Sequence, residues 1–472
     1  MAERYRVKTA QPRCVTGSVQ RLRRRHDAGM SCPRATDRPA APTTWAVALA
    51  GAMTLAVAMG IGRFAFTPLL PLMMRDGQVD AAGGAALAAA NYLGYLVGAL
   101  SAGGLARRPL RLVRACLPLI AGLTAAAGLG HGLLVWGGLR FGAGVCSAWA
   151  LVGISSWSLS LLAQRGQGVL GGWIFTGVGA GIMLAGCMAW AGAGLSAGAL
   201  WLALGGAALL LALAVGVLLP GGSKPGGSAA GAAPGASGAA PVPGASATSA
   251  RPPAAANALP PGSWPLVVCY GSFGFGYILP ATFLPAMARS LLDEPRSFGL
   301  VWPAFGLAAA LSTVLSMRWI GGWRPLRAWS VCQFAMALGV ALPLVSRSGW
   351  AIALAALLVG GTFMLATVIA MQQAQALAPL QPARLLGRMT AAFALGQIAG
   401  PMLVRALDGV RLGGFSRFSG FGGSGSLGGW GGIEITSAAA AAWLLATAVW
   451  LWRGQDFGVQ RAGRPAGLVT KP

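Results

Sequence analysis

The chain has 472 residues, 56% of them hydrophobic and only 10% charged, with mean hydropathy +0.66. A soluble domain carries about a quarter charged residues and a disordered chain is poor in apolar ones, so both are excluded and a polytopic membrane protein remains. The formal charge of +25 is therefore read by position along the chain and gives no reason to invoke nucleic acid.

Residues 1–43 are Arg-rich, lack an apolar run and read as a disordered basic cytoplasmic head. Apolar segments follow near 45–73, 83–105, 112–130, 133–162, 168–192 and 197–219. The stretch 220–263 is almost all Gly, Ala, Ser and Pro and reads as a flexible linker. Six more apolar segments lie near 264–288, 298–317, 328–345, 349–371, 389–408 and 436–452. A Gly-rich outer loop, 409–435, joins the last two, and 457–472 is a tail. The expected architecture is an all-α membrane protein with 12 transmembrane helices, as bundles over 44–219 and 264–456. With the N-terminus inside, 26 Lys and Arg fall on the inner side, 7 on the outer side and 2 within spans, so both termini are expected in the cytoplasm.

The two sets repeat. Gly60-Ile-Gly62 with Leu70-Pro71 recurs as Gly274-Phe-Gly276 with Leu284-Pro285 at an offset of 214, and Arg108-Pro-Leu-Arg111 recurs as Arg324-Pro-Leu-Arg327 at 216. The halves are thus two parallel six-helix copies, an arrangement that builds alternating-access proteins around a midplane cavity.

In chain order, the first polar residue of interest is Arg63, in the first span and followed by Pro68 and Pro71. A cation near the bilayer centre costs about 3 kcal/mol or more, so it faces a cavity or snorkels to the interface. Gly60 and Gly62 allow close approach, and the two prolines remove backbone donors. In the second span, Gly94 and Gly98 belong to a small-residue strip, while Asn91 and Tyr95 share a face that lines a cavity or bonds a neighbouring helix. Arg107, Arg108 and Arg111 form a basic turn: an inner-gate element or a topology signal. Arg140 opens Arg140-x3-Gly144-x3-Ala148 in the fourth span and is either interfacial or a second cation beside Arg63. Gly179 lies on a glycine face of the fifth span that has no preceding strand or following acid, so it is no dinucleotide motif.

In the second copy, Tyr277 stands where the first has Arg63, and Arg324 and Arg327 repeat the basic turn. Gln397, before Gly400 and Pro401 in the eleventh span, faces the cavity or bonds across helices. Arg405 and Asp408 have ion-pair spacing. None of the ten acids lies centrally in a span, and His131 sits in an outer turn. Seven scattered cysteines form no Cys-x-x-Cys, and no metal, cofactor or catalytic residue is expected. Clustered His, Asp or Glu for an integral membrane transferase are missing. The expected partners are the bilayer, a small-molecule substrate and a coupling ion (proton or sodium), with the chain a monomer.

These features resemble the major facilitator superfamily. The residues Gly60-Ile-Gly-Arg63-Phe-Ala-Phe-Thr-Pro68-Leu-Leu-Pro71 and Ala90-Asn-Tyr-Leu-Gly-Tyr-Leu-Val-Gly98 resemble, more narrowly, the bacterial YbfB/YjiJ group. The resemblance implies an inner-membrane secondary transporter of undefined substrate. The turn Gly104-Leu-Ala-Arg107 departs from the superfamily pattern by lacking its Asp.

Overall fold

A computed structural model describes residues 42–219, 262–291, 299–319, 323–346, 348–379, 381–408 and 432–454. The head, linker, outer loop and tail lie outside these residues apart from 42–43, 262–263 and 432–435, the last of which begin a helix, and so do the side chains of Arg405 and Asp408.

The described residues are helical, without strands. The elements are α1 (Thr44–Leu55), α2 (Phe66–Arg75), α3 (Ala81–Leu105), α4 (Pro109–Leu129), α5 (Leu133–Gln164), α6 (Gly171–Ala191), α7 (Ala197–Leu218), α8 (Ser263–Leu291), α9 (Val301–Trp319), α10 (Pro325–Val345), α11 (Gly349–Leu377), α12 (Pro382–Asp408) and α13 (Gly432–Arg453). Helices α1 and α2 form one interrupted pass. Nine passes among the described residues meet a length-and-hydropathy test for crossing a bilayer. The remaining three, α8, α9 and α12, have 29, 19 and 27 residues, and at about 1.5 Å per residue each reaches roughly 30 Å.

The repeated Arg-Pro-Leu-Arg motif does the same work twice. Pro109 and Pro325 take the first turns of α4 and α10, where the missing N–H costs no hydrogen bond. Glycines set how closely the helices approach. A methyl at Gly94 would run into the Phe141 carbonyl, and one at Gly144 into that of Asn91, so α3 and α5 meet almost backbone to backbone. The halves join in a similar way. Gly179 of α6 lies against Gly306 and Ala310 of α9, and Gly387 of α12 against Ala99 of α3. Elsewhere, Gly98 packs on Val145 and Ala148, and Gly400 on Ile278.

The first pass breaks in the middle. From Ala56 to Ile61 the chain is π-helical, with Gly62 N–H donating to the Val57 carbonyl (2.8 Å) and Phe64 N–H to that of Met59 (3.0 Å). Helix α2 then restarts at Phe66. The sequence explains the position: Gly60 packs on Gly181, and Pro68 has no N–H for the Phe64 carbonyl, which Thr67 takes instead (3.2 Å).

The far end of this pass is fastened. Arg75 pairs with Asp76 (2.8 Å) and donates to the carbonyls of Ala193 and Leu195, while Asp76 accepts from Ala197 N–H at the start of α7 (2.7 Å). The Ala197 N–H, and then Arg75, hold the Asp76 carboxyl below its ordinary pKa.

Candidate functional site

Arg63 follows the π segment as the twentieth residue of the 32-residue pass Thr44–Arg75. It is 3% exposed, so it does not snorkel. Its guanidinium lies 3.8 Å from the Tyr95 ring centroid, with the Tyr92 and Phe64 rings at 5.5 and 5.6 Å. Nη2 donates to Oε1 of Gln397, which belongs to the other half. Nε and Nη1 have no partner, nor does Nε2 of the fully buried Gln397. Among the described residues no carboxylate reaches Arg63. A buried cation with two free donors and a neutral partner is poised for an anion.

Arg140 is differently engaged. Nη1 and Nη2 donate to the carbonyls of Gly62 (3.1 Å) and Arg63 (2.9 Å), which the break in the pass leaves without helical partners. The guanidinium lies 4.8 Å from the Phe66 ring. Its charge thus caps the negative end of a half-helix, and Nε alone is unbonded. Two further α5-linked contacts hold the region. Ser147 donates to the Ala58 carbonyl (2.6 Å), and Asn91 Nδ2 donates to the Arg140 carbonyl (2.9 Å), leaving Asn91 Oδ1 without a partner. Asn91 therefore bonds across helices through its amide nitrogen.

The opposite wall is aromatic. Tyr277, fully buried, stacks on Phe363 at 4.2 Å and 9°, and its hydroxyl has no partner. Phe363 meets Phe64 edge-on at 6.0 Å across the halves, and Tyr270 stacks on Phe393 at 5.1 Å. Tyr95, Tyr270, Phe363, Phe393, Met59 and Thr367 are among the residues around a chamber of about 10 Å³, room for no more than about one water. An arginine of one half of a duplicated helical bundle thus lies on that half's own rings and bonds the glutamine of the other.

The model of the family described as "Uncharacterised MFS-type transporter YbfB" matches residues 55–426. The chain belongs to that family. It is a multi-pass membrane transporter of the major facilitator superfamily, with a small molecule as substrate. Among solved structures it is similar to the crystal structure of the human organic anion transporter MFSD10 (TETRAN), at 14% identity, 86% coverage of this chain, 98% of that one and a TM-score of 0.56. At that identity the likeness shows the fold alone. No curated protein sequence matches the chain.

Other residues of this YbfB-type transporter lie away from the centre. Arg108 and Arg111 are exposed at the start of α4. Arg324 is exposed at the start of α10, and Arg327 lies 5.4 Å from the Trp452 ring. His131 is exposed in the turn before α5. Pro71 and Pro401 are accommodated inside α2 and α12.

Sequence reasoning missed a cavity of about 640 Å³ at the helix ends marked by Gln164, Gly168, Trp323 and Pro379. Gln164, Gln372, Gln373, Gln375 and Ser160 give it neutral polar groups. Gln375 accepts from Ser160 Oγ (2.8 Å) and donates to the Ser155 carbonyl (3.2 Å), tying α11 to α5. The run Met371-Gln-Gln-Ala-Gln375 was the available signal. The partnership of Arg63 with Gln397 had no local signal, since 334 residues separate them.

Proposed function

We propose that the protein is a secondary active transporter that moves a small organic anion by alternating access, with Arg63 as its binding cation. It works in a bacterial inner membrane with both termini in the cytoplasm, and an ion or solute gradient supplies the energy, since the sequence holds no ATP-binding motif. The observation that carries this is the buried Arg63 guanidinium, with Nε and Nη1 free and only Gln397 across the halves as hydrogen-bond partner. An anion that binds Arg63 competes with Gln397, so loading loosens a contact between the halves. With the termini inside, as the charge count favours, the 640 Å³ cavity opens to the cytoplasm, which suits loading from within and supports export.

Flux of small organic acids in proteoliposomes tests the reading. Arg63→Gln is expected to reduce flux to the level of empty liposomes while leaving membrane insertion intact. Undiminished flux in that variant overturns the anion role. Wild-type protein that binds an acid but moves none is a membrane sensor of the same fold.

A further inference from the structure

Four of the chain's five tyrosines, Tyr92, Tyr95, Tyr270 and Tyr277, gather around the central site. Membrane proteins concentrate Tyr at the two interfaces, where the hydroxyl meets water. Here the interfacial role falls to tryptophans: Trp45, Trp264, Trp350 and Trp452 are exposed near helix ends. The tyrosines lie well inside their helices, and Tyr95, Tyr270 and Tyr277 are no more than 3% exposed. Burying a phenol at this depth is unfavourable unless its hydroxyl finds a partner, and that of Tyr277 has none.

These rings come from both halves. Tyr95 carries the Arg63 guanidinium near its ring, and also lines the central chamber together with Tyr270, Phe363 and Phe393. Aromatic rings from both halves around one narrow space suit a flat ring as their guest. The cation at its edge selects a negative group and rejects the cationic ligands that aromatic boxes otherwise take.

We propose that the central site takes a planar aromatic carboxylate, with the carboxylate on the Nε–Nη2 edge of Arg63 in place of Gln397 and the ring between Tyr95 and the Phe363–Phe393 wall. This rests on the anion reading above and adds the shape of the anion. The halves part to admit the ring, and the Tyr277 hydroxyl and Gln397 Nε2 are donors in reserve for a substituent on it. An aliphatic acid of similar size meets the same cation but gains no stacking.

The test is binding of four probes to the full-length protein in detergent, read as thermal stabilisation and as displacement of radiolabelled benzoate. The probes are benzoate, phenylacetate, cyclohexanecarboxylate and benzamide. Benzoate and phenylacetate are expected to bind, and cyclohexanecarboxylate about tenfold more weakly for want of ring stacking and its share of the cation's field. Benzamide is expected not to bind. Tyr95→Leu should level benzoate and cyclohexanecarboxylate while retaining acid binding. Tyr277→Phe, read with 4-hydroxybenzoate as a fifth probe, should weaken that acid more than benzoate. Equal binding of cyclohexanecarboxylate and benzoate to the wild type overturns the aromatic inference and leaves the anion reading standing. Benzamide bound as well as benzoate overturns the anion reading. If none of the acids binds, both fall.

Discussion

The two copies of the repeat place Arg63 and Tyr277 at the same position, yet the surrounding helices differ. In the first copy the pass is broken by a π segment and restarts at Phe66, and Arg140 and Ser147 on α5 bond buried carbonyls of that stretch. In the second copy α8 runs unbroken from Ser263 to Leu291, and Tyr277 packs flat on Phe363 of α11, a helix without a charged residue. Packing features are shared: Gly60 and Gly274 both allow close backbone approach, to Gly181 and Phe393 respectively. The chain has thus kept the duplicated packing and given the halves complementary chemistry, with a cation on one side and aromatic rings on the other.

Changes that erase this difference should cost most. Tyr277→Arg puts a second cation where the second copy offers no capping arginine and no carboxylate among the described residues. A loss of about 3 kcal/mol or more is expected, seen as aggregation or a collapsed melting transition. Arg140→Leu removes two charge-assisted hydrogen bonds from buried carbonyls, worth about 1.5–3 kcal/mol each. Its melting temperature should fall sharply, and transport with it, because Arg63 loses its backbone support. Pro68→Ala restores an N–H beside the break. The interruption should persist, since Arg140 and Ser147 still hold it, and stability should change by less than about 1 kcal/mol. A large stabilisation would mean the break rests on Pro68 alone.

The smallest effect is expected at the outer clasp. Asp76→Asn weakens a cap-like bond to Ala197 N–H, on the order of 1 kcal/mol. The folded Asp76 pKa lies below its unfolded value. Its contribution is therefore fully present above the ordinary carboxylate range and is lost as pH falls through the lowered value. Thermal melts from neutral to acid pH should show a shallower acid-side fall in the variant than in the wild type.

Much of this was legible in the sequence. Apolar runs marked the passes, and the recurring Arg-Pro-Leu-Arg and Gly-x-Gly motifs marked the duplication, because both depend on local periodicity. Arg63, Asn91, Arg140 and Gln397 stood out as polar residues in apolar runs. What each touches was not legible. Arg140 could be read as a second clamp because nothing local shows that its guanidinium is spent on the Gly62 and Arg63 carbonyls. The π segment appeared only as a Gly- and Pro-rich stretch. The tyrosine cluster needed four residues from two distant spans to be placed together, and the Gln-lined cavity needed helix ends from both halves.

In the proposed transport cycle, the Arg63–Gln397 contact joins two halves that separate as the substrate loads. Spin labels at Gln164 and Pro379, which line the 640 Å³ cavity from different halves, measure that separation directly. Two distances are expected in the otherwise wild-type protein, with a severalfold shift in their populations when Gln397→Leu removes a hydrogen bond worth about 1 kcal/mol. A single distance, the same with and without Gln397, would contradict it.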